Sequence, residues 1–315
     1  MPVMQRGAFG DLLDVRFREV ISERSILARN QDMLPFLWKN VPPTTPFRDT
    51  ERYSELSGMP RAGQFTGSID YQSRYQGYDV SAAYVEFAIG LQIERLLVEY
   101  DQFDEIDNMG AALFDSMWRR RQFDGQRFLR NAFSVDTFFY NHTEGVPMCS
   151  NSHTTTTGAS TTAGFDNLVT TALSATNLAT VAIQFLNLRD LQAEPIQAVA
   201  DEIIYPAELY ETAFEIAASL GKVDTAQSNR NVHYGAYTLI RLPNKVDFTD
   251  TNDWFARDSR IWAESAKWFD QVWPGGQPEF GQAEEFDTFA AKYRAYGRWT
   301  NLIRKWQGII GAQVS

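Results

Sequence analysis

Cys149, Ser152 and His153 place a nucleophile and a base within five positions of one another. The chemistry they could do is acyl transfer, in which an imidazole draws the proton from a thiol and the thiolate attacks a carbonyl carbon. Catalytic partners normally meet in space from separate elements, and this run opens SNSHTTTTGASTTAG (150–164), which reads as a low-complexity Ser/Thr/Gly loop. The plainer expectation is a partly buried Cys149 thiol and a loop histidine at His153, with a Cys/His hydrolase as the enzymatic alternative. The remaining chemistry is sparse. His142, His153 and His233 lack the HExxH spacing of a zinc site, and a single cysteine supports neither a disulfide nor a Cys-rich metal site. No GxSxG, GxGxxG or GxxxxGK occurs, and Glu284-Glu285 reads as solvated surface. Asn141-His142-Thr143 matches a glycosylation sequon, but no secretory signal precedes it. The sequence therefore nominates no catalytic, cofactor-binding or metal-binding residues.

The one dense charge cluster is Arg119-Arg120-Arg121 after Trp118. Consecutive helical residues fan out by about 100°, so the three cannot all face one phosphate. Salt bridges within or between subunits are the expectation, ahead of contact with DNA or a scaffold. The net charge of −11 and pI near 4.8 argue against a general nucleic-acid binder. Hydrophobic residues make up 44% and aromatics 14% of 315, enough for a substantial core in one large domain or two ordinary ones. No apolar run approaches the roughly 20 residues of a membrane span.

The elements that would hold these residues alternate between helix and strand without βαβ regularity, so the class is α+β. Leu13, Phe17, Val20 and Ile21 predict an amphipathic helix over 10–24. Pro35, Pro42, Pro43 and Pro46 then bar a continuous helix or central strand, leaving an extended arm best explained by contact with a neighbouring subunit. Residues 52–85 alternate in places, at Phe65, Gly67, Ile69 and Tyr71, yet are poor in core-forming side chains, which predicts a projecting β-loop stabilised by partners. Ile106, Met109, Leu113 and Met117, continued by Phe128, Leu129, Ala132 and Phe133, predict a long helix over about 104–133, kinked at Gly125. Leu178, Val181, Phe185 and Leu188 form a helical stripe N-capped by Ser174. Ile203-Ile204-Tyr205 reads as a buried strand, with Pro206 opening a helix and Gly221 closing it. YTLIRL (237–242) reads as a strand, the stretch from Trp254 to Trp273 as aromatic packing, and 288–315 as a tail without Asp or Glu.

The order of these pieces resembles the major capsid protein of tailed phages with the Hong Kong 97-type fold. GVPMCSNSH (145–153), LSATNLATVAIQFLNLRD (173–190), DEIIYPAELYETAFEIAASL (201–220) and RNVHYGAYTLIRLPNKVDFTDTNDWFARDSR (230–260) are similar to the Mu-like major head subunit group. The pattern covers roughly 140–265, and the rest matches in architecture. The resemblance implies an N-terminal arm (1–52), an extended β-loop (53–85), a peripheral domain (86–149 and 281–315) built on the long spine helix, and an axial domain (150–280).

It further implies self-assembly through hexamers and pentamers into an icosahedral head enclosing double-stranded DNA without sequence-specific binding. A portal, a separate scaffold protein and a cement protein are the implied partners, with no membrane, and the place is the virion capsid after assembly in the host cytoplasm. Met59, Pro60, Arg61, Tyr71, Arg119, Arg120 and Arg121 are the candidate intersubunit contacts. Some relatives join a loop lysine to a neighbour's asparagine. Here Lys39 is the only lysine before Lys222, so the loop has no amine for that bond. With about fifty residues before the loop, a fused scaffold segment is not expected. A cellular compartment shell on the same fold is the closest competing reading, and a tail or adhesin component fits the helix content less well.

Overall fold

The computed structural model describes residues 8–43, 46–69, 71–93, 103–138, 140–221, 230–242, 248, 250–273, 276–285 and 290–315. Helix α1 spans Ala8–Arg29, longer at both ends than the amphipathic stretch predicts. After it the Asp32 carboxylate accepts the Leu34 amide at 3.0 Å and starts a single turn, α2 (Leu34–Leu37). Pro35 sits in that first turn, where its missing N–H removes no intrahelical bond. Strand β1 (Lys39–Val41) follows and stops before Pro42.

Part of this segment packs on its own chain, while Phe36 and Phe47 stay exposed. Leu34, Leu37 and Trp38 are buried in the core of their own chain. Their seat is the long helix α3 (Phe103–Arg130), roughly 42 Å at 1.5 Å per residue. Helix α3 continues through Gly125 without interruption. A Cβ at Gly125 would lie 2.1 Å from Leu34 Cδ2, and Trp38 Nε1 donates to the Gly125 carbonyl at 2.7 Å. Glycine stands there because α2 approaches the helix backbone too closely for any side chain.

Two sheets flank this helix. The first is organised on β11 (Ala290–Ile303), which pairs antiparallel with β4 (Val85–Ile93) and β10 (Glu279–Glu285) on opposite edges of its first half and with β9 (Ala266–Val272) along its second, while β1 extends β9 in parallel. The second runs β5-β12-β8-β6-β7, with β5 at Leu168–Val169, β6 at Glu202–Tyr205, β7 at Thr238–Arg241, β8 at Trp254–Arg257 and β12 at Ile309–Ala312. Alternation along β6 sends Ile203 and Tyr205 to one core cluster and Ile204 to the other. Helices α4 (Ala175–Asn187) and α5 (Tyr210–Ala217) cover the Ile203 side. As predicted, Ser174 caps α4, its hydroxyl accepting the Asn177 amide at 3.2 Å. Pro206 precedes one 3-10 turn, Ala207–Leu209, and α5 ends well before Gly221. The Asn231 amide closes α5 instead, donating to the carbonyls of Glu215, Ile216 and Ser219 that the helix end leaves open. Trp254, Trp262 (in α6, Ser259–Ser265), Trp268 and Trp273 are all buried, so the aromatic stretch is core packing.

The third sheet is a hairpin of β2 (Thr50–Leu56) and β3 (Gln76–Ala83). Phe65, Gly67, Ile69 and Tyr71, whose alternation reads as strand, lie instead in the 57–75 connection. Among the described residues no strand lies opposite them, and Gly67 takes φ +110°, which breaks extended pairing.

Replacing Gly125 with leucine should destabilise the subunit by about 2 kcal/mol despite a better helix propensity, because overpacking under α2 outweighs the gain. Urea unfolding checks this. A midpoint unchanged from wild type would mean that α2 is not seated on Gly125.

Candidate assembly interface

The hairpin tip carries large apolar side chains that its own chain does not cover. Met59, Phe65, Ile69 and Tyr71 are all exposed, Tyr71 at 88%. Neighbouring apolar side chains left uncovered are the kind of surface that makes a candidate contact. Of the candidate contacts, Met59, Arg61 and Tyr71 are exposed and Pro60 is half-buried. Arg61 Nε also reaches Glu194 of its own chain at 2.8 Å, across the surface.

The three arginines on α3 fan out as helical geometry requires. Arg119 is exposed and its Nε donates to the Asp115 carbonyl at 3.1 Å. Arg120 pairs with Asp124 at 3.1 Å and lies 4.6 Å over the Phe87 ring. Arg121 turns inward, is only 5% exposed, and is held by Asp270 at 2.7 Å and Asp32 at 3.7 Å between the Trp268 and Trp273 rings. Its charge is spent inside the chain, which leaves Arg119 as the member of the trio turned to solvent.

The hairpin root, in contrast to its tip, is bound by polar groups. Asp190 accepts the Gly58 amide at 3.1 Å and the amides of Gln192 and Glu194 at 2.9 and 3.0 Å. A Cβ at Gly58 would lie 2.4 Å from the Asp190 carboxylate, so only glycine admits this contact. Along β3, Thr143 donates its amide to the Asp79 carbonyl at 2.9 Å and His142 bridges Val80. The Thr-rich stretch is a strap here. Thr155 and Thr157 hydroxyls donate to the Leu191 carbonyl, and Thr156 donates to that of Gln76.

Beneath the strap lies a buried set of titratable groups. Glu144 accepts the Thr154 amide at 2.6 Å and faces His153 Nδ1 at 3.0 Å, with His142 Nδ1 at 3.7 Å. Asn167 donates to the Met148 and Ile309 carbonyls and accepts the Ser150 amide, which fixes its amide orientation. Its Oδ1, 3.1 Å from His153 Nε2, must therefore accept from that ring. Burial opposes the Glu144 carboxylate, but His153 and the Thr154 amide hold its pKa below the ordinary value. His142 has no hydrogen-bond partner on either nitrogen, and burial pushes its pKa down to about 4. Glu55, on β2, is pushed up to about 7 by burial, with Lys305 opposing and Glu144 adding to the shift.

The hydrolase pairing is not formed. Cys149 is buried, not partly exposed, and burial pushes its thiol far above the ordinary range, which disfavours the thiolate a nucleophile needs. His153 lies in an irregular segment as expected but is buried there, stacked 4.1 Å from Trp306, with its nitrogens committed to Glu144 and Asn167. Among the described residues, no group of three or more His, Cys, Asp or Glu is arranged to hold a metal. Among them too, no helix is long and apolar enough to cross a membrane. Sequence reasoning does not find Glu144, Asn167 or Asp190. Each is a short polar residue in an irregular segment, and its role exists only once distant segments meet.

No protein-family model matches the chain, and no curated protein matches it. Solved structures do. The asymmetric unit of the bacteriophage PhiM1 mature capsid aligns with TM-score 0.55 at 8% identity, covering 90% of this chain and 86% of that one. A Mycobacterium phage Patience structure aligns with TM-score 0.54 at 8% identity over 95% and 86%. The capsid of a native GTA particle aligns with TM-score 0.52 at 9% identity over 90% and 89%. At such identities the likeness establishes the fold, a mixed helix-and-sheet architecture shared with phage capsid structures.

Of the shifted groups at the root, Glu55 and His142 act with opposite sign. Glu55, raised from 4.5 to about 7, contributes stability that is complete below pH 4.5 and lost as pH rises through about 7. His142, lowered from 6.5 to about 4, contributes stability present above pH 6.5 and lost as pH falls through about 4. Between pH 4.5 and 6.5 the slopes oppose. In Glu55→Gln the falling Glu55 slope is gone, so its melting temperature should climb relative to wild type from pH 4.5 to about 7 and then level. Parallel melting curves for the two proteins would contradict the burial of Glu55.

Proposed function

We propose that this chain is the major capsid subunit of a tailed phage, with the Hong Kong 97-type fold and closest in pattern to the Mu-like major head subunits. The observation that carries the reading is likeness along nearly the whole chain, 90% of it against the PhiM1 mature capsid and 90% against the GTA capsid. The exposed hairpin tip supports it, because a shell subunit needs a surface that another copy covers. In this reading residues 1–52 are the arm, 53–85 the extended loop and 150–280 the axial domain. Residues 86–149 and 281–315 form the peripheral domain on the α3 spine. Copies form hexamers and pentamers that close an icosahedral head around double-stranded DNA. The acidic net charge keeps the wall from adhering to its contents. Scaffold, portal and cement proteins complete the assembly, which forms in the host cytoplasm and ends in the virion. The role is structural, and no catalytic step is assigned to it.

Coexpression with a neighbouring scaffold gene, followed by sedimentation and negative-stain microscopy, should yield closed shells or rings of five and six subunits. A discrete monomer or dimer under those conditions would refute the reading. Within it, Tyr71→Ala combined with Met59→Ala removes two exposed side chains worth about 1.5–3 kcal/mol each when fully covered. Those variants should sediment as free subunits with unchanged melting temperature, and normal shells would show that the tip is not a contact.

A further inference from the structure

A cleft of about 210 Å³ opens at the hairpin root, and its lining includes Tyr53, Glu55, Arg74, Val80, Arg304 and Lys305. Three cations converge on it in a chain whose net charge is −11. Arg74 is exposed, and its Nε donates to the Ser57 carbonyl at 2.8 Å. Arg304 lies 3.7 Å over the centre of the Tyr53 ring, a cation–π contact that holds the guanidinium in place. Its Nε is buried without a hydrogen-bond acceptor, an arrangement that is costly unless an acceptor arrives. Among the described residues, neither arginine has a carboxylate partner. Glu55 meets only Lys305, at 3.6 Å. Burial also holds Glu55 toward its neutral form near neutral pH, so it cannot balance three cations.

We infer that this cleft receives a carboxylate side chain from a second copy of the chain, bound by Arg74 and Arg304 with Lys305 beside them. Two guanidiniums with free N–H groups match a carboxylate in fork geometry. The volume falls below the roughly 300 Å³ at which small-molecule pockets begin, and suits one side chain better than a polyanion strand. The surface of another copy is rich in the required group, with 40 acidic residues against 29 basic ones. The position agrees, because the cleft lies at the root of the same hairpin whose apolar tip the shell reading has another copy cover. This pairing rests on the shell reading and names one contact within it.

The test compares wild type with Arg74→Gln, Arg304→Gln and the double variant. Melting of the unassembled subunit and the concentration at which shells form would be measured from 50 to 500 mM NaCl. Each single variant should raise the assembly concentration about tenfold, corresponding to about 1.4 kcal/mol per contact. The salt dependence should also flatten, while subunit melting moves little. Arg74 is exposed, so its variant remains informative even if Arg304→Gln impairs folding. Variants that assemble at the wild-type concentration with the wild-type salt slope would overturn the pairing and leave the shell reading standing. Wild-type protein that forms no shells removes both. A third outcome, in which 50 mM inorganic phosphate raises wild-type but not double-variant melting while assembly is unaffected, would make the cleft a free-anion site and also overturn the pairing.

Discussion

Much of the structure hangs on a single buried guanidinium. Arg121 stands on the inner face of α3 with Asp270 of β9 at 2.7 Å and Asp32, from the turn after α1, at 3.7 Å. Leaving such a charge without its partners would cost about 3–5 kcal/mol, so helix, sheet and N-terminal segment must arrive together. The rings of Trp268 and Trp273 complete the enclosure and add attraction at the ring faces. One turn along, Asp124 repeats the device with opposite sign. Burial raises its pKa, and Arg120 and the Trp299 indole N–H offset that by favouring the carboxylate. These two hooks fix which face of α3 meets β11, something a purely apolar interface would specify less sharply.

Around that body the hairpin obeys different physics. Its root shares a small apolar cluster, Val80 and Ala82 against Phe269 and Leu302, with the first sheet. Farther out the hairpin is tied by the Gly58 amide donating to Asp190, by the threonine strap donating to Gln76, and by Arg61 reaching Glu194. Polar bonds at a partly solvated root are individually modest, near 1 kcal/mol net, so the root is the part of the fold most easily altered by protonation or by a neighbour's contact. The core, with Trp254, Trp268, Phe255 and Leu129 wholly enclosed, has no comparable freedom.

Those two regimes decide how much the sequence discloses. Periodic apolar residues reveal α3, α4 and β6 almost to their ends, because each buries one face and the spacing records it. Ser174 is legible as a cap because capping is local. Gly125 is legible as special but not in its reason, since the methyl of Leu34 that forbids a side chain comes from 91 positions earlier. The N-terminal segment is legible only in part for a related cause. Its prolines correctly exclude long regular structure, yet nothing local says that Leu34, Leu37 and Trp38 return to their own core. The strands of the hairpin are displaced from the residues that alternate most visibly, because pairing requires a partner and not merely a pattern. Glu144, Asn167 and Asp190 act across segments that no local pattern joins.

The absence of lysine between Lys39 and Lys222 adds a constraint on how copies would hold together. Without a loop amine, the extended loop has no isopeptide bond to offer, and its contribution must be noncovalent. Apolar burial at the tip would supply adhesion, being non-directional and tolerant of the small angular differences between hexamer and pentamer neighbours. The root would supply register, since a guanidinium fork accepts a carboxylate only in a narrow geometry. A tip without the root would bind in several orientations, and a root without the tip would bind too weakly to close a shell. Dividing adhesion from register along one hairpin lets the same subunit meet neighbours at slightly different angles while keeping a single pairing at each contact.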